Sequence, residues 1–542
     1  MSYLDRPRLH FFGTFTANPS TLNNTATNYN MNQPLGPVLW NPLGRHNFSL
    51  NACPITSIVM DGTADTETGI VDTSQTGVLV DLDTEQQGVS MIFGMILKIT
   101  AGTGSITGTF QPVNFFDLFE RANGTGGDQG ASAAYQSVLT NLQWSGAAQS
   151  PFLSALFAAS PNMLSIRFNV DGFNNDTKLG RVAGTIGPYL IGEPTTFVNG
   201  RFLRPNPNGT ASQFGPFNYA PAKTDVARGV ITFDLGNAVP TNWATNPTPP
   251  PQQTTPYPVA AGFPLQVALV PPSGPPITFG DFDTSETAYE QNAFVQEFPI
   301  PQNAANPLAS TPTGIVSPET GGPFVVMMEN PTGAYVNADR YVFRMNPGDT
   351  GTVPMWANIF EAPAQGASIL LYPYPNMFGM TPGIPVGTPS GAVSYPAVVT
   401  TDANGQASFT ISANDPGNPR GFIDGQIYGI GFTWAADVTP DPNAFLSVHV
   451  FQQVPVPPAP TWWQDVYPIL NQYSRLYPSM QAIIALNDYT AVVQNLQPII
   501  QRLNLPETDP GYMPITRELS RDKKAIIMAW ANNNHPEGTS PT

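Results

Sequence analysis

A proline or a glycine stands at about every fifth position of this 542-residue chain, 59 prolines and 48 glycines in all. Each breaks or bends regular structure. Their frequency approaches the ~25–30% of low-complexity sequence without reaching it. Apolar runs recur between the breakers, and hydrophobic residues make up a globular 41% of the chain. The pattern predicts many short strands joined by rigid loops. Length alone suggests roughly three domains. The expected fold is mainly β: two β-sandwich-like units joined by a proline-rich linker, with a short helical C-terminal tail.

Charged residues are only 11% of the chain, well under the usual ~25%, so Asn, Gln, Ser, Thr, Gly and Pro must cover much of the surface. The 38 acidic residues outnumber 21 basic ones, for a formal net charge of −17 and a pI near 4.5. A polyanion needs a basic stripe and the sequence has none, so nucleic acid is not an expected partner. The same balance disfavours anionic membrane surfaces.

Cys53 is the only cysteine, which excludes an intrachain disulfide framework and a multi-cysteine metal site. It sits in an apolar run to Met60 and reads as a small buried residue. No charged n-region with an apolar h-region opens the chain, and no stretch reaches the ~18 apolar residues of a transmembrane segment. The expected compartment is therefore the cytoplasm, with export by a non-classical route left open. Scarce charge over many strands leaves sheet edges to be paired or covered, so a homo-oligomer or protein partner is expected.

The opening stretch from Leu4 to Asn18 carries Asp5, Arg6 and Arg8 straight into a strand pattern. Leu9, Phe11 and Phe15 share one face, with Arg8, His10, Phe12 and Thr14 on the other. Residues 1–245 form the first expected domain. Its strands are placed at Ile55–Met60, Gly77–Asp81, Val89–Ile99, Met163–Val170, Thr195–Leu203 and Gly229–Leu235. Tyr135, Val138, Leu139 and Leu142 recur at helical spacing and predict its one helix. Residues 246–258 are a proline-rich linker.

Residues 259–454 hold about eight further strand signals at sandwich spacing. Among them Thr401–Gly405 is a tight-turn signal, with Asn404-Gly405 suited to positive φ. The segment TTDANGQASFTI resembles the turn-and-strand signature of bacterial immunoglobulin-like modules. A second proline cluster, 455–460, precedes a helical tail at 461–532 that should dock on the β body. In that tail Ser520 is placed to cap the last helix. Residues 533–542 are expected to be disordered.

Four histidines are available. His10 and His46 are candidate cofactor ligands, although no HxH or HxxxH spacing supports a metal site, and satisfied structural histidines are the plainer reading. His449 alternates with strand residues and is expected at a rim; His535 lies in the polar tail. Asp81 and Asp83 place two carboxylates at a strand end, and Asp281 and Asp283 do the same after a glycine. Asp171 and Asp176 lie in an Asn/Asp-rich turn. Asp81, Asp83, Asp171 and Asp176 are thus the candidate Ca²⁺ ligands, against turns that satisfy their own backbone. No G-x-S-x-G elbow, P-loop or HExxH occurs. Trp40, Trp243 and Trp434 are candidates for stacking on a glycan.

Several short motifs in sequence order carry a family resemblance. They are the opening LDRPRLHFFGTFTAN, Val38-Leu-Trp-Asn-Pro-Leu-Gly44 with His46 and Phe48, Val80-Asp-Leu-Asp83, Gly180-Arg-Val-Ala-Gly-Thr-Ile-Gly-Pro-Tyr-Leu190 and Phe233-Asp-Leu-Gly-Asn237. Over much of residues 1–300 the chain resembles the bacterial iminophenyl-pyruvate dimer synthase and chromopyrrolate synthase family of the violacein and indolocarbazole pathways. That resemblance implies haem-dependent oxidative coupling of imines derived from aromatic amino acids, with His10 and His46 as the positions for haem. The chain departs from the family in lacking its ferritin-like helical half.

Two readings follow. The first is a non-catalytic β-rich binding or structural protein that keeps the sheet scaffold, with carbohydrate binding as one form of it. The second is a haem-dependent coupling enzyme. No cofactor is expected under the first; haem, or Ca²⁺ at the aspartates, are the alternatives.

Overall fold

The computed structural model describes residues 2–19, 43–62, 67–83, 89–121, 130–174, 176–206, 217–242, 257–258, 264–318, 324–375, 386–421, 423–439, 441 and 444–541. Its opening strand, Arg8–Asn18, runs antiparallel between Cys53–Val59 and Leu179–Pro188. Leu9, Phe11 and Phe15 enter one core, as their two-residue spacing predicts. From there the sheet closes on itself. The ring continues from Cys53–Val59 through Gly69–Gln75, Ile96–Ala101, Gly104–Phe110, Ala131–Ser145, Leu164–Asn174 and Leu179–Pro188, back to the opening strand. This eight-stranded barrel has a filled interior of Leu, Ile, Val and Phe side chains, including Phe48, Phe110 and Phe168. The helix Pro151–Ala159, capped by Ser150 Oγ accepting from the Leu153 amide at 3.1 Å, adds Phe152, Leu153 and Leu156 to that core.

Two sequence expectations fail here for physical reasons. The helix predicted around Tyr135 is the strand Ala131–Ser145. Tyr135 and Leu139 face the barrel core, whereas Val138 points out against Tyr3, Leu4 and Val198. A bulge with Asn141 at φ 52° then flips the parity, which returns Leu142 and Trp144 to the inner side. A strand buried on both faces and bulged mimics the helical period. The run Val89–Ile99 is two strands, Ser90–Phe93 and Ile96–Ala101, turned at Gly94 with φ 68°.

The second sheet has eight strands in the order Ile277–Phe282, Leu265–Leu269, Thr313–Ser317, Phe324–Glu329, Arg201–Pro205, Ala220–Asp225, Val230–Asp234 and Val295–Pro299. Strands from both sides of the expected linker interleave in it. The hydrogen-bonded units therefore divide near residue 330 rather than at 245, because strand pairing is non-local and ignores where prolines cluster. Within 246–258 only Tyr257 and Pro258 lie among the described residues, and they pair with Thr241–Asn242. Phe12 and Ala183, on the outside of the barrel, pack into this sheet's core. The first part of the opening strand, from Arg8 to Phe11, is thus buried on both faces, while Thr14 is exposed.

Residues 334–450 form a sandwich of two five-stranded sheets over one shared core. One sheet takes Ala334–Ala338, Thr350–Ile359 and Gln406–Ala413; the other takes Val342–Met345, Phe445–Val450, Gln426–Trp434, Ser368–Pro373 and Val398–Thr400. The turn at Thr401–Gly405 does not close a hairpin. It carries the chain from the second sheet to the first, with Gly405 at φ 69° and the Asp402 carboxylate accepting from the Asn404 and Gln406 amides at 2.8 and 3.0 Å.

The C-terminal helices, chiefly Tyr467–Leu476, Leu496–Leu503 and Arg521–Asn532, share a core around Trp462 and Trp530. They dock on the β body, as their shortness requires: the Arg517 guanidinium lies 4.5 Å over the Phe93 ring. Ser520 Oγ accepts from the Lys523 amide at 3.3 Å, the predicted cap. The tail expected to be disordered from 533 folds back. The Pro536 carbonyl accepts from the Trp462 amide at 2.9 Å and from Trp530 Nε1 at 3.0 Å.

Candidate functional site

Buried ion pairs lie within and between these units. Arg121 and Arg181 bracket Asp171 at 2.7 Å each, and Arg201 meets Glu329 at 2.6 Å. Arg8 reaches Glu297 at 2.9 Å, from the opening strand to the second sheet. Arg204 of that sheet pairs with Asp437 of the sandwich at 2.5 Å, and Arg420 of the sandwich with Asp83 at 2.6 Å. Asp339 accepts from the amides of Thr195 and Thr196, both at 2.7 Å.

Where barrel, second sheet and sandwich meet, a cavity of about 150 Å³ remains. The strand Phe116–Glu120 supplies Phe116 and Asp117, the second sheet supplies Phe202 and Pro221, and the sandwich supplies Tyr335, Tyr341 and Phe445. Tyr219, Phe202 and Tyr335 form a continuous stack, with ring centroids 5.5 and 4.8 Å apart. Phe197 stands edge-on to Tyr335 at 6.1 Å.

Beside the rings, the wall carries Asn114, Gln136, Thr196, Asn337 and Ser447, and the charged Asp117, Asp441 and Arg167. Arg167 is neutralised by Asp234 at 3.1 Å, which also accepts from the Tyr3 hydroxyl at 2.7 Å, and its guanidinium covers the Phe116 ring at 5.3 Å. Asp117 is held at φ 52° with its carbonyl accepting from the Asn218 and Asn237 amides, both at 2.8 Å. Its carboxylate accepts no hydrogen bond among the described residues. Burial and the neighbouring Asp441 carboxylate push the Asp117 carboxyl up to about 7, and Arg167 opposes them. Burial keeps the Tyr335 and Tyr341 hydroxyls protonated well above the ordinary range. The wall thus combines aromatic rings and amide and hydroxyl side chains with the carboxylates of Asp117 and Asp441 and a guanidinium paired with Asp234.

The residues singled out from the sequence lie elsewhere. His10 is buried, with Nδ1 2.8 Å from Thr185 Oγ1 and Nε2 accepting from Arg8 Nε at 3.4 Å, so both ring nitrogens are engaged. His46 donates through Nδ1 to the Leu79 carbonyl at 3.0 Å; Nε2 is unpartnered, but the residue is buried and the Tyr477 ring stands edge-on at 6.1 Å. Burial lowers His46 to about 4. Neither histidine lines the junction cavity, and His10 does not fit a haem ligand. His449, expected at a rim, is buried, because both faces of its strand are covered; its Nε2 lies 2.9 Å from the Asp424 carbonyl.

Asp81 accepts from Ser90, and burial followed by the repulsion of Asp83 raises its carboxyl to about 7. Asp83 lies beyond the strand end and is committed to Arg420. Asp171, between two arginines, has no valence left for a cation. The Asp176 amide donates to Asn174 Oδ1 at 2.8 Å, a turn satisfying its own backbone. Among the described residues no three of His, Cys, Asp and Glu gather as metal ligands. Trp434 belongs to the sandwich core, while Trp40 and Trp243 lie outside the described residues. Cys53 is buried as expected.

Sequence reasoning passed over Asp117, Phe202 and Tyr335. The one available signal was a lone carboxylate inside the aromatic run Phe115-Phe-Asp-Leu-Phe119.

No helix among the described residues is long and apolar enough to cross a membrane. No protein-family model and no curated protein matches the chain. Among solved structures, the chain is similar to a two-domain protein of unknown function from Bacteroides fragilis (11% identity, TM-score 0.18, covering 23% of this chain and 47% of that one). It is also similar to domains 4 and 5 of the S-layer protein SbsC (8% identity, TM-score 0.15, 41% and 82%) and to the D00-D0 domain of intimin (12% identity, TM-score 0.16, 30% and 74%). The chain spans about half the length of the first of these. Overlaps this small transfer neither fold nor function.

Proposed function

We propose that this chain is a non-catalytic, β-rich binding protein: a scaffold of three sheet systems clamped by buried ion pairs, with its ligand site in the cavity where they meet. The observation that carries the reading is Asp117. Its carboxylate lies at a cavity with several aromatic walls and accepts no hydrogen bond among the described residues, whereas Asp83, Asp171, Asp234, Glu297, Glu329 and Asp437 are each held by an arginine. A group left desolvated and unpartnered in a concave site supports binding there.

The test is a thermal-shift screen of small aromatic compounds against the purified chain, with each hit re-isolated and weighed by mass spectrometry. Hits that stabilise the protein and return unchanged support the reading; a hit that returns chemically altered replaces it with an enzymatic one. The family resemblance implies the alternative of haem-dependent coupling, for which His46 Nε2 is the one unpartnered imidazole nitrogen of the two candidates. A Soret band in protein from a haem-supplemented host, lost in His46→Ala, would establish that alternative.

A further inference from the structure

We propose that the junction cavity takes a neutral phenol, its ring among Phe116, Phe197, Tyr335 and Tyr341 and its hydroxyl donating to the Asp117 carboxylate; this rests on the binding reading above. Size sets the first limit. A cavity of about 150 Å³ is of the size that holds a single benzene ring, so the ligand is one ring with at most a short substituent.

The hydrogen bonds already made on the wall set the second. Asn114 Nδ2 donates to the Phe115 carbonyl at 2.7 Å, the Thr196 hydroxyl to Asp339 at 2.8 Å, and Asn337 Nδ2 to the Tyr335 hydroxyl at 2.6 Å. The Tyr341 hydroxyl donates to Asn337 Oδ1, the Tyr219 hydroxyl engages Asp441, and Arg167 is held by Asp234 at 3.1 Å. The Asp117 carboxylate, by contrast, accepts no hydrogen bond among the described residues. Leaving a desolvated acceptor without a donor is costly. A ligand O–H in the cavity supplies that donor, and a hydrogen bond to an ionised oxygen is among the stronger ones.

Charge sets the third. Arg167 and Asp117 line the same small cavity and attract each other across it. An anion would lie beside the Asp117 carboxylate, and a cation would compete with Arg167 for it. A neutral ring meets neither conflict. A plain hydrocarbon would suit the rings but leave Asp117 without a donor.

The experiment is calorimetric titration of the full chain at pH 8 with phenol, toluene, benzoate and benzylammonium. At that pH the Asp117 carboxyl, raised to about 7, is ionised, while a phenol, like a tyrosine side chain, is still neutral. Toluene has nearly the shape of phenol and no proton to donate. The expected result is phenol binding at least tenfold more tightly than each of the other three. Asp117 sits at φ 52°, a conformation that glycine adopts readily. Asp117→Gly therefore removes the carboxylate without straining the backbone, and should lower phenol to the affinity of toluene or below. If that variant fails to fold, the ranking of phenol against toluene on the wild-type chain decides.

Toluene binding as tightly as phenol would overturn the phenol assignment and leave a site that reads the ring alone, with the binding reading intact. Preference for benzylammonium would overturn it in favour of a cation on Asp117, and preference for benzoate in favour of an anion on Arg167. Failure of all four to bind folded protein would overturn both.

Discussion

Arg420 Nη1 lies 2.6 Å from Asp83 Oδ2, with both side chains buried and the two residues 337 positions apart in the chain. The guanidinium also donates to the carbonyls of Gly425 and Asp424, at 2.9 and 2.7 Å. A loop after the strand Gly77–Asp81 and a loop of the sandwich are thereby held in one geometry. Removing one partner of such a pair strands a buried charge, which costs about 3–5 kcal/mol, whereas replacing both by apolar groups is close to neutral. Arg420→Ala should lower the denaturation midpoint accordingly, and Arg420→Met with Asp83→Leu should recover most of the loss. A single variant that unfolds like wild type would mean that the contact does not hold the units together.

The pH dependence of stability has a definite sign. Burial raises the carboxyls of Asp81 and Asp117 to about 7 and that of Glu518 to about 8. Because these values lie above those of the unfolded chain, the stability they carry is complete below about pH 4 and is lost as the pH climbs through 7 and 8. His46 and His449 run the other way: burial holds them near 4, so their contribution is complete above about 6.5 and is lost as the pH falls. Between pH 6.5 and 8.5 only the three carboxyls of this set titrate. The thermal midpoint should fall across that window, by on the order of 1 kcal/mol per carboxyl, and Glu518→Gln should flatten the slope. A midpoint that rises from pH 6.5 to 8.5 would contradict this.

Barrel closure depends on two cross-strand pairs. Phe11 lies opposite Gly184 and Phe15 opposite Gly180 where the first and last strands of the ring meet, and each ring occupies the space a Cβ would need. Gly184→Ala should cost about 1–3 kcal/mol by overpacking. Phe11→Leu combined with Gly184→Ala should regain part of it, measured by urea denaturation. Additive losses in the double variant would show that the two positions do not share this space.

Cys53 is enclosed beneath Gly13, and burial pushes its thiol up to about 11. The thiolate is the reactive form. At pH 8 the native protein should react with a disulfide reagent at least an order of magnitude more slowly than the urea-unfolded chain. Equal rates would place the thiol at the surface.

Much of the architecture was legible because it rests on local rules. The alternation of Leu9, Phe11 and Phe15 located the opening strand and its inner face, Gly77–Asp81 was placed to the residue, and Ser520 announced the last helix. Tyr135 was misread because a strand covered on both sides and bulged at Asn141 has no clean two-residue period. The bond from Pro536 to Trp462 was invisible because it joins residues 74 apart through a backbone carbonyl, which no side chain advertises.

Composition and spacing by themselves determined that this is a mainly β chain with short strands, a docked helical tail and a buried thiol, since breaker frequency and alternation act within a few residues. Tertiary structure alone decided that the first sheet closes into a barrel, that strands on both sides of residues 246–258 share one sheet, and that Asp117, Phe202 and Tyr335 meet. Those outcomes depend on which distant strands pair and which faces they bury, and a side chain's partners across more than a hundred residues leave no mark on its neighbours in sequence.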